Sequence, residues 1–127
     1  MQNKITEESI LAKYNANKQQ NESAFLALGR RKKEYEEMEN TLAELEKRHL
    51  EYIDKYREAY AGTHELVELN MFDQDIYDIE EKSRKIMLRE KEAIYEEEKR
   101  LNTQQDEIER QFRSELNNYR EKRGAGI

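Results

Sequence analysis

No proline interrupts the 127 residues, and only four are glycine. Proline inside a helix costs about 3 kcal/mol relative to alanine, because it removes a backbone donor and its ring clashes with the preceding turn. A proline-free chain with a helical apolar period can therefore run in long unbroken helices. Charged residues make up 41% of this chain and hydrophobic ones 35%, whereas a compact globular domain carries ~45–50% apolar residues. That balance belongs to long solvated helices and coiled coils. Disorder is the competing reading for so polar a chain. Eight tyrosines, three phenylalanines and a regular apolar spacing argue against it.

Leu11, Tyr14, Phe25, Leu28, Tyr35, Met38, Leu42, Leu45, Tyr52, Tyr56 and Ala59 follow one another at helical spacing, with Lys18, Asn21, Lys32 and His49 in the gaps. This is a single helical stripe. Two steps of three come together near Lys32 and Tyr35, a stammer that predicts local overwinding or a changed contact face. Gly29 sits just before it, where a mid-helix glycine costs about 1 kcal/mol relative to alanine. A second stripe runs through Leu66, Leu69, Phe72, Ile76, Ile79, Ile86, Met87, Ile94, Leu101, Ile108, Phe112, Leu116 and Tyr119. From Met87 to Ile108 it thins to one strongly apolar residue per heptad, with Glu90, Glu97 and Gln104 or Gln105 between, although a coiled-coil seam calls for two.

Between the stripes lies "EAYAGTHELVELN". Gly62 suits the left-handed position past a helix end, Thr63 can cap the next helix with its hydroxyl, and Glu65 and Glu68 favour a helix N-terminus. Asn70 or Asp73 is an alternative start for the second helix. Folding back at Gly62-Thr63 sets Tyr56 near Leu69, Tyr52 near Phe72, His49 near Ile76, Met38 near Met87, Phe25 near Leu101 and Tyr14 near Phe112. The expected fold is all-α, an elongated antiparallel two-helix hairpin that resembles a coiled coil. It forms one domain over 1–127, with arms at about 6–61 and 65–123, a turn at 62–64 and a frayed tail at 124–127; each arm reaches roughly 75–85 Å at 1.5 Å per residue.

Residues 1–62 carry 11 basic and 12 acidic side chains, and residues 63–127 carry 12 and 17. An acidic second half argues against nucleic acid, whose binding depends on neutralising phosphates. No apolar run reaches the ~18 residues of a membrane span, and "MQNKITEESI" lacks the regions of a signal peptide. With no cysteine there is neither disulfide nor thiolate chemistry. The expected location is cytoplasmic, with export only by a route without a cleaved leader.

The chemical motifs have simpler readings. His64 and Glu68 of "HELVE" share a helix face but lack the second histidine of a zinc signature. Glu46 and His49 form one Glu-x-x-His unit, where di-iron bundles need two units and two further glutamates on four helices. His49 is expected in the seam. The run Arg30-Arg31-Lys32-Lys33 is followed at i+4 by Glu34, Glu36 and Glu37, so ion pairs on the helix surface explain it. No nucleophile or phosphate-cradling pattern occurs, and a two-helix hairpin encloses no pocket for acid–base chemistry. No enzyme activity, cofactor or metal is expected.

Tyrosine usage points to a partner. Tyr52, Tyr56 and Tyr60, joined by Phe72 and Tyr77, gather at the turn end, and tyrosine is enriched at interfaces. Two helices alone make a poor core. The thin stripe of Met87, Ile94, Leu101, Ile108, Phe112 and Tyr119 is therefore expected to be completed by another helix, from a second copy or from a partner.

The length, the central aromatic-x-Gly turn of "AYAGTHELVELNMF" and the charged second helix "LREKEAIYEEEKRLNTQQDEIERQF" resemble the small helical partner proteins of LXG-domain toxins, Esx-like hairpins of the Gram-positive type VII secretion pathway. Tyr60-Ala61-Gly62 stands where Esx proteins carry Trp-x-Gly. The resemblance implies a non-catalytic targeting factor or chaperone for the helical LXG domain, acting together with a second small Esx-like protein. Four residues after Tyr119 stands Arg123, where the Esx export signal has an acidic residue, so that signal would come from the second partner. The hairpin is also similar in shape to the coiled-coil stalk proteins of type III and flagellar export ATPases. A self-assembling structural coiled coil is a third reading.

Overall fold

The computed structural model describes residues 5–125. They form two helices, α1 at Glu7–Ala59 and α2 at Glu65–Ala125, with no strand among the described residues. The protein is an all-α helical hairpin.

Helix α1 starts on a reciprocal cap. The amide of Ser9 donates to Thr6 Oγ1 at 3.1 Å, and the amide of Thr6 donates back to Ser9 Oγ at 2.9 Å. This is a capping box with serine in the place usually held by glutamate. Glu7 and Glu8 lie in the first turn and Arg57 in the last, each on the favourable end of the helix dipole.

The turn is built on Gly62, whose φ of 77° is the left-handed conformation that a helix end needs and a side chain resists. Thr63 departs from expectation. Its hydroxyl donates to the carbonyl of Tyr60 at 2.6 Å, and its amide donates to the same oxygen at 3.0 Å. It closes the end of α1 rather than capping α2. The first turn of α2 is fixed by the amides of Leu66 and Val67, which donate to the carbonyls of Thr63 and His64. Of the two candidate starts, the early one at Glu65 is adopted. At its far end α2 runs through Gly124 to Ala125, beyond the expected stop at Arg123.

The chain divides into two compact units: Arg31–Ile94, and the described residues up to Arg30 together with those from Tyr95 onward. The division falls beside Gly29, at the place where the apolar spacing stammers. Helix α1 is continuous through it.

Within the turn-containing unit, Ile53, Leu69, Met87 and Ile94 are buried. Ile53 is only 2% exposed, while its neighbour Tyr52, expected in the seam, is 45% exposed. The seam has turned by one residue because polar side chains occupy positions that an apolar count passes over. Arg31 donates to both carboxylate oxygens of Glu90, and Arg84 to both of Glu46. These cross-helix pairs let carboxylates lie at the contact with their hydrogen bonds satisfied.

In the other unit, Ile10, Leu28 and Leu101 are buried, Leu101 completely. The rings of Tyr14 and Phe112 stack at 4.2 Å between centroids, as the antiparallel pairing predicts. Lys13 pairs with Glu115 at 2.9 Å, and Arg120 with Glu7 at 3.2 Å. In this unit the seam shifts the opposite way, to Ile10 rather than the expected Leu11, which is half exposed. Asn21 is buried with its Oδ1 lacking a hydrogen-bond partner.

Candidate functional site

The aromatic residues at the turn end assemble as their spacing suggests. Steps of four place Tyr52, Tyr56 and Tyr60 one above another on α1. The rings of Tyr52 and Tyr56 lie 4.4 Å apart, those of Tyr56 and Tyr60 5.9 Å apart, and Tyr52 meets Phe72 of α2 edge-on at 6.1 Å. The ammonium of Lys55 sits 5.7 Å from the Tyr56 ring. Tyr56 and Tyr60 are half-buried, whereas Tyr52 and Phe72 are exposed. Val67 and Met71, at the start of α2, are also exposed. The result is an ordered aromatic ladder open to solvent. Tyr77 is exposed as well, but it lies apart from the ladder, in a cleft with Leu50, Gln74 and Arg84.

That cleft borders a polar cluster around His49, which the helical spacing predicts only as a seam histidine. His49 is nearly buried, and its Nδ1 lies 2.8 Å from Glu80 Oε1. Its Nε2 lies 2.9 Å from Asp73 Oδ1 but off the ring N–H direction, so this is a close polar contact rather than an aligned hydrogen bond. Asp73 also accepts from Arg57 at 3.2 Å. Asp73 and Glu80 lie one turn to either side of Ile76, so His49 occupies the expected level with carboxylates as its neighbours. Each ring nitrogen faces a different carboxylate. Among the described residues no group of three or more His, Asp or Glu side chains is disposed to hold a metal ion. The guanidinium of Arg84 beside Glu46 holds that carboxyl below its ordinary range, and Arg31 does the same to Glu90.

The thin stripe is largely consumed inside the hairpin. Met87, Ile94 and Leu101 are buried, and Ile108, Phe112 and Tyr119 are half-buried. What stays open instead is a column that the sequence reading counted as seam. Met38 and Leu45 on α1 and Ile79 and Ile86 on α2 are all more than half exposed. Met38, Leu42 and Leu45 line one groove together with Ile86 and Met87. Their seven-residue spacing was the available signal. It marks a second face beside the seam rather than the seam itself.

No protein-family model, curated protein or solved structure matches the chain. The fold therefore defines its class, a two-helix all-α hairpin with exposed aromatic and aliphatic faces. No helix among the described residues is long and apolar enough to cross a membrane.

Proposed function

We propose that the protein is a non-catalytic helical adaptor that binds the helical N-terminal LXG domain of a toxin and brings it to the type VII secretion pathway. The supporting observation is the ladder Tyr52–Tyr56–Tyr60 with Phe72, preassembled by ring contacts at 4.4 to 6.1 Å and open to solvent at Tyr52 and Phe72. Rings already held in place lose little freedom on binding, and tyrosine offers a partner both apolar area and a hydroxyl. The exposed Val67 and Met71 extend this end with aliphatic surface. The ladder ends at Tyr60-Ala61-Gly62, the same three residues that carry the resemblance to the Esx turn. An LXG helix laid across it would cover the rings.

The test is co-purification from the cell that makes the protein, with the chain as bait and the captured proteins read by mass spectrometry. Capture of an LXG-domain protein by the wild type, and its loss in Tyr52→Glu and Tyr56→Glu with helical circular dichroism retained, is the expected result. Recovery of an export ATPase instead, or undiminished capture by both variants, overturns the reading.

A further inference from the structure

The exposed column beside the seam is built in layers. Met38, Leu45 and Tyr52 recur every seven residues on α1, and Phe72, Ile79 and Ile86 recur every seven on α2. Met38 and Ile86 line one groove, and Tyr52 meets Phe72, so the two columns share a face and the layers run Met38 with Ile86, Leu45 with Ile79, and Tyr52 with Phe72. All six side chains are between 45% and 62% exposed. The opposite face carries the Glu46–Arg84 and Arg57–Asp73 pairs. A layered apolar face of this kind is what a helical hairpin presents when a further helical layer packs on it.

The charges at its margins indicate which layer. Glu34 and Thr41 line the groove, and the same row continues by sevens to Arg48 and Lys55. On α2 the matching outer row, set by helical geometry, is Arg89, Lys82, Asp75 and Glu68, all exposed. Reading along the hairpin, Glu34 lies level with Arg89, Arg48 with Asp75, and Lys55 with Glu68. Each charge of the Glu34 row thus has its opposite in the α2 row, and the neutral Thr41 lies level with Lys82; Glu37, which also lines the groove, stands outside both rows. A surface with this pattern is complementary to its own two-fold image. When α1 of one molecule lies along α2 of another, opposite charges meet at three levels on each side and no like charges meet within these rows.

We infer that this face binds a second copy of the same chain, α1 of each molecule against α2 of the other, in a four-helix arrangement over Glu34 to Arg89. The inference shares Tyr52 and Phe72 with the toxin reading, and the two are told apart at Tyr56, which lies outside the layers. Arg48 now holds Glu44 of its own helix at 3.2 Å, and Lys55 lies over Tyr56. Exposed contacts of this kind are weak and exchange readily for pairs across an interface.

Sedimentation of the full chain over a range of concentrations tests the inference, with helical circular dichroism recorded on every variant. The wild type is expected to dimerise, and Leu45→Glu combined with Ile79→Glu to sediment as a folded monomer. Because the two-fold repeats every pair, Arg48→Glu is expected to weaken the dimer about tenfold, at roughly 0.5–1 kcal/mol per exposed pair. Adding Asp75→Arg to it is expected to restore the affinity. A wild-type monomer at all concentrations overturns the inference, as does a dimer indifferent to Leu45→Glu and Ile79→Glu. So does a charge-swapped double variant no tighter than Arg48→Glu alone. If the Leu45→Glu, Ile79→Glu variant is unchanged in self-association but loses a bound toxin, the face belongs to that partner instead.

Discussion

Replacing Ile53 and Tyr52 by alanine, one at a time, asks which column of α1 forms the seam. Ile53 is 2% exposed and Tyr52 45%, although they are consecutive and a helical stripe can be drawn through either. Ile53→Ala removes three buried carbons. At about 0.8 kcal/mol each this is roughly 2.4 kcal/mol of lost transfer energy, and the cavity left behind brings the expected loss to about 2–4 kcal/mol. Tyr52→Ala removes a ring that already meets solvent and forfeits contacts with Tyr56 and Phe72. Aromatic pairs contribute about 0.5–1.5 kcal/mol beyond area burial, so its loss should stay near 1–2 kcal/mol. The assay is urea unfolding followed by far-ultraviolet circular dichroism and by tyrosine fluorescence, at one fixed protein concentration. Coincident curves license a two-state free energy. An Ile53→Ala loss equal to or smaller than that of Tyr52→Ala would mean that the helix is rotated by a residue and that the argument from the polar seam is wrong.

Gly62→Ala places a side chain at a φ of 77°, so a loss of about 1–2 kcal/mol is expected in the same unfolding assay, although a Cβ there meets no neighbour; no loss would show that the turn relaxes to another conformation. Asn21→Leu removes a buried oxygen that has no hydrogen-bond partner and should raise the melting temperature, by an amount equivalent to about 1–2 kcal/mol; a lower value would indicate that Asn21 is bonded in solution. Glu46, Glu90 and Glu115 are held below the ordinary carboxyl value of 4.5 by hydrogen bonds from Arg84, Arg31 and Lys13. Their native carboxylates bind fewer protons than the unfolded chain does, so the stability they contribute is present above that value and is lost as the pH falls through and below it. Urea midpoints measured from neutral pH downward should decline there, and Arg84→Gln should lessen the decline; an unchanged slope would remove the Glu46–Arg84 pair from the acid response.

The helices and the turn are legible in the sequence because their causes are local. Proline is absent, Gly62 interrupts the helical spacing at one place, and the pairs Tyr14 with Phe112 and Tyr52 with Phe72 follow from folding the chain there. The shifts of the seam, one residue back to Ile10 and one residue forward to Ile53, are not legible. An apolar count assigns Glu46, Asp73 and Glu80 to solvent and leaves Glu90 in the seam without a reason, and only partners on the other helix make these positions at the contact affordable. Arg31 and Arg84 are such partners, and nothing in a one-dimensional pattern couples Arg31 to Glu90. The forward shift at Ile53 explains why Met38, Leu45, Ile79 and Ile86 of the same unit, at seam spacing, stand open beside it. The candidate aromatic site was legible through its spacing of four, while the use of Leu101 as fully buried core was not, since its stretch of α2 looks too thin to enclose anything.

The His49 contact has a consequence for how one arm can move along the other. Asp73 and Glu80 are seven residues apart, and the ring lies between them. Sliding α2 by a heptad would leave a carboxylate at one ring nitrogen and bring Leu66 or Met87 to the other. Longitudinal creep in this part of the hairpin is therefore not a smooth drift. It meets a detent at His49, where a heptad step in either direction sets a leucine or methionine side chain against a ring nitrogen.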